Sequence, residues 1–203
     1  MGLLDSLLSG GANKALRKPK KIQHRGKPLS EILKAHELHF GGKPGGVRAD
    51  LTGADLRYAD LGQLNFTGAL LEGANLEGAN LKQSKLVRAS LAGANLRGAD
   101  LRNTDMTEAM LPGADLSEAQ ASGVEFFRCD LSNANFSRAN LRNANFRNAN
   151  IKGAQFAGAD MGVAILRETS LDGVDLSGVD LTTTLMPRGY QPSASGAAQG
   201  QKH

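Results

Sequence analysis

Few side chains of this sequence combine chemical reactivity with a spacing that suits catalysis or metal binding. His36 and His39 flank Glu37, and on a helix their i, i+3 spacing could place both imidazoles around a metal ion. A third ligand is not evident, so packed or surface histidines are favoured, and no metal or cofactor is predicted. Cys129 is the only cysteine. A lone thiol forms no intramolecular disulfide, which favours a reduced, cytoplasmic location and a buried, inert side chain.

Carboxylates are numerous, but they recur at regular intervals rather than in a cluster. Aspartate or asparagine stands every five residues along most of the chain, as at Asp50, Asp55 and Asp60. A periodic array of this kind is typical of solvation and turn hydrogen bonding, not of a paired acid and base. The sequence has no phosphate-binding loop, no Gly-x-Ser-x-Gly motif and no metal-spaced set of cysteines and histidines. The chain is therefore predicted not to be an enzyme.

The periodic residues belong to five-residue units that run without insertion over residues 49–188. There are 28 units; the large apolar residue, numbered position 0, is Leu, Phe, Met or Ile in all but one, and position −2 is Ala in 19. A helix would rotate successive apolar residues by about 140°, and a plain strand would alternate their faces, so neither gives a core. Each unit is therefore predicted to be a short extended side, with positions −2 and 0 inward, followed by a corner.

Four units form one coil, because residues other than Ala recur at position −2 at intervals of 20: Leu64, Ser84, Thr104 and Val124. The repeated motif Ala-(Asp/Asn)-Leu, as in Ala54-Asp55-Leu56, resembles the pentapeptide-repeat family over about two thirds of the chain. The resemblance implies an all-β solenoid, a right-handed quadrilateral β-helix, here of about seven coils. The residues assigned to its core include Leu51, Leu56, Leu61, Phe66, Phe126, Phe136, Phe146 and Phe156.

The ends of a solenoid need covers, because an open end exposes apolar interior and unpaired strand edges. Residues 30–39 are predicted to form a short capping helix with Ser30 as its N-cap, and residues 29–48 are assigned as cap and linker. A second cap is not visible in the sequence. The final coil is therefore predicted to be a homodimer contact, as the family resemblance also implies, and residues 189–203 a disordered tail.

Residues 1–28 are predicted to form a separate, basic and mostly flexible arm. Four leucines would share one face of a short helix, a basic run follows, and Gly2 with Ser6 fits the N-myristoylation pattern. An apolar face with a basic run is typical of attachment to an anionic membrane surface. A flexible arm that attaches to nothing is the simpler alternative. The residues assigned to surface attachment are Leu3, Leu4, Leu7, Leu8, Lys18, Lys20 and Lys21.

Outward positions are mostly polar or small on sides two and three, counted from the side that begins at Ala49. Apolar residues instead point outward on sides four and one, which share a corner, and this predicts a protein-binding strip with basic neighbours that select an acidic partner. The strip is assigned to Leu70, Val87, Met110, Phe127, Arg128 and Ile165.

Ala121 takes a core position in the same coil as Phe126. The phenylalanine is expected to fill the volume that the small alanine leaves, and a ligand cavity is the alternative.

These features predict a cytoplasmic or membrane-peripheral scaffold that binds an unknown protein partner through the strip and attaches to a surface through the arm. Quinolone-resistance members of the family are thought to bind DNA gyrase by imitating duplex DNA, so gyrase regulation is the first alternative. The net charge of −4 over residues 49–188, interspersed with basic columns, imitates a duplex poorly. Direct nucleic-acid binding by the arm, the second alternative, is unlikely because no aromatic residues are interleaved with its lysines.

Overall fold

The structure, a computed structural model, describes residues 15–190. Near the N-terminal end, a 3-10 helix covers Pro19–Lys21, and strands β1 (Gln23–His24) and β2 (Lys27–Pro28) form an antiparallel hairpin. In this hairpin Gln23 lies opposite Pro28, and His24 lies opposite Lys27. Helix α1 spans Leu29–Phe40 and leads into the repeat region.

The repeat region is held together by parallel backbone pairing between residues 20 apart, from Asp50 with Leu70 to Ile165 with Leu185. In one such rung the Leu51 N–H donates to the Leu70 carbonyl over 2.8 Å, and the Leu70 N–H donates to the Ala49 carbonyl over 2.9 Å. These hydrogen bonds run along the rod and join each coil to the next. The predicted β-helical solenoid is confirmed.

The corners between sides are four-residue turns, in which the N–H at −2 donates to the preceding carbonyl at 0, as Ala54 donates to Leu51 over 3.0 Å. Position +2 is left-handed, with φ between +55° and +73° from Gly53 to Gly178, which explains the frequent glycine and asparagine there. Gly78 is required for a second reason, because a β-carbon would lie 2.5 Å from the Tyr58 ring.

The interior consists of small side chains at −2 and large apolar side chains at 0. Phenylalanine rings interlock in the middle of the rod, with centroids 5.0 Å apart for Phe126 and Phe146 and 5.2 Å apart for Phe136 and Phe156. An edge contact of 5.6 Å between Phe126 and Phe136 joins the two columns. Ala121 is fully buried in the same coil as Phe126. At most 1% of each of these core residues is exposed: Leu51, Leu56, Leu61, Phe66, Phe126, Phe136, Phe146 and Phe156.

Buried hydroxyl and thiol groups at −2 donate hydrogen bonds along the rod. The Thr104 hydroxyl donates to the Leu81 carbonyl over 2.8 Å, and the Cys129 thiol donates to the Met106 carbonyl over 2.8 Å. In both pairs donor and acceptor are 23 residues apart, so the acceptor belongs to a corner one coil below. A polar residue can therefore replace alanine without leaving an unsatisfied donor in the core.

Helix α1 packs on the first coil (49–68) through Leu29 and His36, which are buried, and through Ile32 and Leu33, which contact the core. The helix begins at Leu29, so the predicted Ser30 N-cap is wrong: Pro28 holds that position, and no side chain caps the helix. The reason is the hairpin, because the Leu29 N–H already donates to the Ile22 carbonyl over 2.8 Å.

The prediction that residues 1–28 form one separate arm is wrong for residues 17–28. Ile22 is fully buried in the core, and Arg17 forms a parallel bridge with Ala59. Below the first coil this bridge replaces one rung, and cations of the same segment pair with the aspartates of the coil. The ion pairs are Arg25–Asp50, Arg17–Asp55 and Lys18–Asp60.

Residues 1–14, with Gly2 and the four leucines, and residues 191–203 lie outside the described residues.

The last coil (169–188) is more open than those below it. Ladder hydrogen bonds hold it on side four, where the Leu166 N–H donates to the Leu185 carbonyl over 2.8 Å. No helix or strand within residues 15–190 covers this end. Its inward apolar side chains are therefore only partly buried, although Thr169 and Thr184 remain buried: Leu171, Val174, Leu176, Val179, Leu181 and Met186.

Phe136→Ala should lower the free energy of unfolding by about 3–5 kcal/mol, because three neighbouring rings would surround the cavity it leaves. Phe127→Ala is the matched control, since Phe127 points outward and is only partly buried, and it should cost about 1 kcal/mol or less. Urea unfolding followed by circular dichroism measures both. Equal losses for the two variants would contradict the described core.

The cap should loosen on acidification through His36, whose Nδ1 accepts a hydrogen bond from the Ala49 N–H over 3.1 Å. Burial, then His39 and Arg48, lower the pKa of His36. The unfolded chain therefore binds the proton more tightly, and cap stability should fall as the pH drops below about 6.5. The pKa of Asp50, lowered to about 2 by Thr52 and then by Arg25, predicts a further loss from about pH 4 to about pH 2.

Hydrogen-exchange protection of the Leu29 and Ala49 amides measures this effect between pH 7 and pH 5. His36→Asn keeps an acceptor for Ala49 but does not titrate, so its protection should not change over this range. His39→Ala removes an exposed imidazole and should retain most of the wild-type pH dependence. A pH dependence that persists in His36→Asn would show that another group is responsible.

Candidate partner-binding surface

Many polar side chains on the outside of the rod are used by the fold itself. At position −1 a side-chain oxygen accepts a hydrogen bond from the backbone N–H two residues later, as Asp115 accepts from Ser117 over 2.9 Å. Carboxamides also donate to the residue one coil below, as Asn80 donates to Asp60 over 2.9 Å. These contacts explain the recurring Asp and Asn at −1 without acid or base chemistry.

Apolar side chains follow the corner between sides four and one through four successive rungs. Met110 lies between Ser90 and Asp130 in the −1 column of side one. Val87 and Phe127 occupy position +1 of side four, two rungs apart. Each rung thus has one apolar residue at this corner, alternately on side one and side four, over about 14 Å at 4.8 Å per rung. We call this set the apolar corner: Leu70, Val87, Met110 and Phe127.

Basic residues border the apolar corner, but acidic neighbours neutralise them in part. The Arg128 guanidinium lies over the Phe127 ring, 4.8 Å from its centroid. Arg128 and Arg88 both pair with Glu108, at 3.8 Å and 2.6 Å. Lys85 is exposed and forms no ion pair with any residue of 15–190, but it stands with Asp105 in the −1 column of side four, at the edge away from Phe127. The apolar corner is therefore flanked by charges of both signs, Arg88 and Arg128 against Glu108 and Asp130.

The structure does not bring Ile165 to the apolar corner. Ile165 stacks between Asn145 and Leu185 in the −1 column, at the start of side four, whereas Phe127 lies near its end. A side is one extended segment, so these columns lie at its opposite edges. Ile165 instead lines a groove near the C-terminal end with Leu185 and with the other residues Arg147, Arg167, Glu168, Met186, Pro187 and Arg188.

Val163, which the sequence analysis did not assign to a site, lies close to Ile165 in the chain and is 42% exposed. Its φ is +60°, a conformation that a β-branched residue adopts rarely and at a cost. The signal was present in the sequence, because position +2 elsewhere is mostly glycine, asparagine or a long polar residue. The predicted strip is therefore two patches, the apolar corner and a second patch at Val163, Ile165 and Leu185.

The basic residues assigned to surface attachment have different environments. Lys18 is paired with Asp60, whereas Lys20 and Lys21 are exposed and make no ion pair with a described residue. Phe40 and Val47, which are 59% and 63% exposed at the same end, were not predicted as surface residues. Both were assigned to the cap. Phe40 continues the helical stripe of Leu29, Leu33 and His36, so the sequence pattern predicts it as buried, whereas Val47 lies beyond the helix.

His36 and His39 do not form the metal site that their spacing allowed. Their ring centroids are 6.4 Å apart, and His36 Nδ1 already accepts the hydrogen bond from Ala49. Among residues 15–190, no group of three His, Cys, Asp or Glu side chains could hold a metal ion. In the same part of the chain, no helix is long and apolar enough to cross a membrane.

The chain belongs to the pentapeptide-repeat family. The family profile matches eight copies, at residues 49–86, 89–126, 125–162 and 156–182. No match was found among curated proteins. Proteins of this family are generally non-enzymatic scaffolds, which agrees with the intramolecular role of the carboxylates.

Solved structures of the family resemble this chain to different degrees. A trypsin-treated variant of QnrB1, described as a plasmid-mediated fluoroquinolone resistance protein, has 19% identity, a TM-score of 0.53 and a match covering 68% of this chain and 64% of QnrB1. The chain thus spans less than two thirds of QnrB1, and the likeness shows the fold alone.

Two cyanobacterial proteins are more similar in sequence. HetL from Nostoc sp. strain PCC 7120, involved in heterocyst differentiation regulation, has 31% identity, with 69% of this chain and 81% of HetL covered and a TM-score of 0.28. The pentapeptide repeat protein alr5209 from Nostoc PCC 7120 has 31% identity, with 63% and 77% covered and a TM-score of 0.31.

Cys129 should be unreactive in the folded protein, because burial raises the pKa of its thiol to about 12. At pH 8 the thiolate fraction would be about a thousandfold lower than for an ordinary cysteine. A thiol reagent such as 5,5′-dithiobis(2-nitrobenzoate) should therefore react only after unfolding in guanidinium chloride, which serves as the positive control. Rapid reaction under native conditions would contradict the inward position of this residue.

Proposed function

We propose that this protein is a non-enzymatic scaffold, a rod of seven coils closed at one end by residues 17–48, which binds a protein partner through the apolar corner. The observation that supports this proposal most directly is the run of one outward apolar residue in each of four successive rungs. Met110, within this run, is 47% exposed. Single exposed apolar residues are normal on a surface, but a continuous row is typical of an interface.

The geometry of the apolar corner favours an amphipathic helix as the partner element. Rungs repeat at about 4.8 Å, and a helix laid parallel to the rod advances about 5.4 Å per turn. One apolar residue per helical turn could therefore contact each rung over the length of the corner. Acidic side chains beside that apolar face would complement Arg88 and Arg128.

The last coil stays a predicted homodimer contact, because its partly exposed leucines have no cover among residues 15–190. Its outward residues include Asp172, Asp175 and Asp180, which are exposed. Two copies related by a twofold axis would bring these carboxylates close together, so such a dimer would be more stable at high salt than at low salt. The predicted cytoplasmic or membrane-peripheral location also remains a proposal.

Regulation of DNA gyrase remains an alternative hypothesis. The likeness to QnrB1 does not transfer a partner, because it rests on 19% identity. Charge on the rod is arranged in mixed columns, as where Arg97 and Arg138 both pair with Glu118 at 2.9 Å and 2.8 Å. Duplex DNA presents uniformly spaced negative charge, so this surface imitates it poorly.

Affinity capture tests the scaffold proposal with Phe127→Asp/Met110→Asp, which places charge in the middle of the apolar corner. We expect capture of one specific partner to fall at least tenfold, because buried carboxylates in the interface would be unpaired. Val163→Asp/Leu185→Asp changes the second patch and is the matched control. Thermal unfolding should show that both variants remain folded.

Loss of the partner only in the control variant would move the interface to the second patch. Capture that is unchanged in both variants would exclude either patch as the partner site. Inhibition of gyrase supercoiling by the purified wild-type protein, abolished by neither variant, would favour the alternative function.

A further inference from the structure

The N-terminal end of the rod is a surface formed by the outer side of helix α1 and the hairpin. Leu29 and His36 point from α1 into the first coil, so the opposite face of this helix forms the end of the molecule. The 3-10 helix and strand β2 both contact α1, which places Pro19–Lys21 and Lys27 beside it. This end surface presents residues that the packing of the cap does not use.

Positive charge is concentrated at this end. Residues 15–48 contain nine Lys and Arg against two Glu, whereas residues 49–190 have a net charge of −4. Three of the nine cations pair with aspartates of the first coil, and Arg48 donates to the Gly68 carbonyl. The other cations are exposed and form no ion pair with any residue of 15–190: Lys20, Lys21, Lys27, Lys34 and Lys43.

The same end has the two most exposed large apolar side chains of the described chain, Phe40 at 59% and Val47 at 63%. Phe40 is the last residue of α1; it lies on the stripe of Leu29 and His36, and its exposure shows that it projects past the edge of the first coil and not from the opposite face of the helix. The Val47 N–H donates to the Ala35 carbonyl over 2.9 Å, so the segment after the helix folds back along its C-terminal half. Apolar side chains among unpaired lysines fit the boundary between lipid headgroups and acyl chains.

We propose that the N-terminal end of the rod docks on an anionic lipid bilayer, with the five unpaired lysines against the phosphates and with Phe40 and Val47 inserted at the headgroup level. The negatively charged solenoid then points away from the bilayer, and the apolar corner stays accessible along its side. Nucleic acid would satisfy the lysines but would leave both apolar side chains without a partner. This inference does not depend on the proposed partner site.

Co-sedimentation of the full-length protein with phosphatidylcholine vesicles, with and without about 30% phosphatidylserine, tests the proposal. Binding should require the anionic lipid and should weaken between low and physiological salt. Lys20→Ala/Lys21→Ala/Lys34→Ala should lower the partition coefficient about a hundredfold, at roughly fivefold per lysine. Phe40→Ser/Val47→Ser should lower it about tenfold. Thermal unfolding checks that each variant remains folded.

Matched controls change the same residue types on the solenoid. Lys82→Ala/Lys85→Ala/Lys152→Ala and Met110→Ser/Val163→Ser should both bind vesicles as the wild type does. Equal losses in these controls would show an effect of net charge or general apolarity and would overturn the proposal. Absence of wild-type binding to anionic vesicles would also overturn it.

Two further outcomes would assign the binding elsewhere. If Leu3→Ser/Leu4→Ser/Leu7→Ser/Leu8→Ser abolishes vesicle binding while both cap variants retain it, the attachment belongs to the first residues of the chain and not to the cap. If the lysine variant loses binding to duplex DNA and to vesicles equally, while Phe40→Ser/Val47→Ser retains binding to both, this end of the rod is a general polyanion site. Either result overturns the proposal. Neither would affect the capture experiment with Phe127 and Met110.

Discussion

The structure depends on one repeated interaction, the backbone pairing of each residue at −1 with the residue 20 positions later. The N–H at position 0 donates to the coil above, as Leu51 does, and the N–H at −1 donates to the coil below, as Leu70 does. Every inner coil is therefore hydrogen-bonded to both of its neighbours. This register requires four turns of equal length per coil. The left-handed residue at +2 supplies those turns, and the insertion of a single residue would displace all later apolar side chains from the core.

Because that register fixes which positions are inward, stability and recognition are assigned to different residues. Ala and Leu at −2 and 0 form the core, while −1, +1 and +2 face solvent and can vary more freely, within the left-handed conformation that +2 requires. Part of the outer surface still serves the structure, as when Asn80 bonds to Asp60. The residues that remain for binding are those without such contacts, which is why the apolar corner and the unpaired lysines stand out from the polar columns.

The sequence predicted the interior well because its information is local and periodic. The five-residue spacing was sufficient to place Phe126 and Phe136 inside, and the 20-residue spacing of exceptions such as Leu64 gave four sides per coil. It could not predict contacts between residues that are distant in the chain, such as Lys18 with Asp60, 42 residues apart, and residues 17–28 were therefore assigned to a separate arm. Ile165 was misplaced for a different reason, because the prediction used only the side of the coil and not the position within the unit, which is −1 for Ile165 and +1 for Phe127.

The two ends of the rod show how the same column of residues can have different roles. At the first coil, Asp55 and Asp60 are matched by Arg17 and Lys18, and the pKa of Asp60 is lowered mainly by Lys18. At the last coil, Asp175 and Asp180 continue these columns without an ion pair to any cation of residues 15–190, above leucines that are only partly buried. A cap that fills the core and neutralises the rim therefore accounts for the order of the first end, and its absence among the described residues accounts for the open packing of the other.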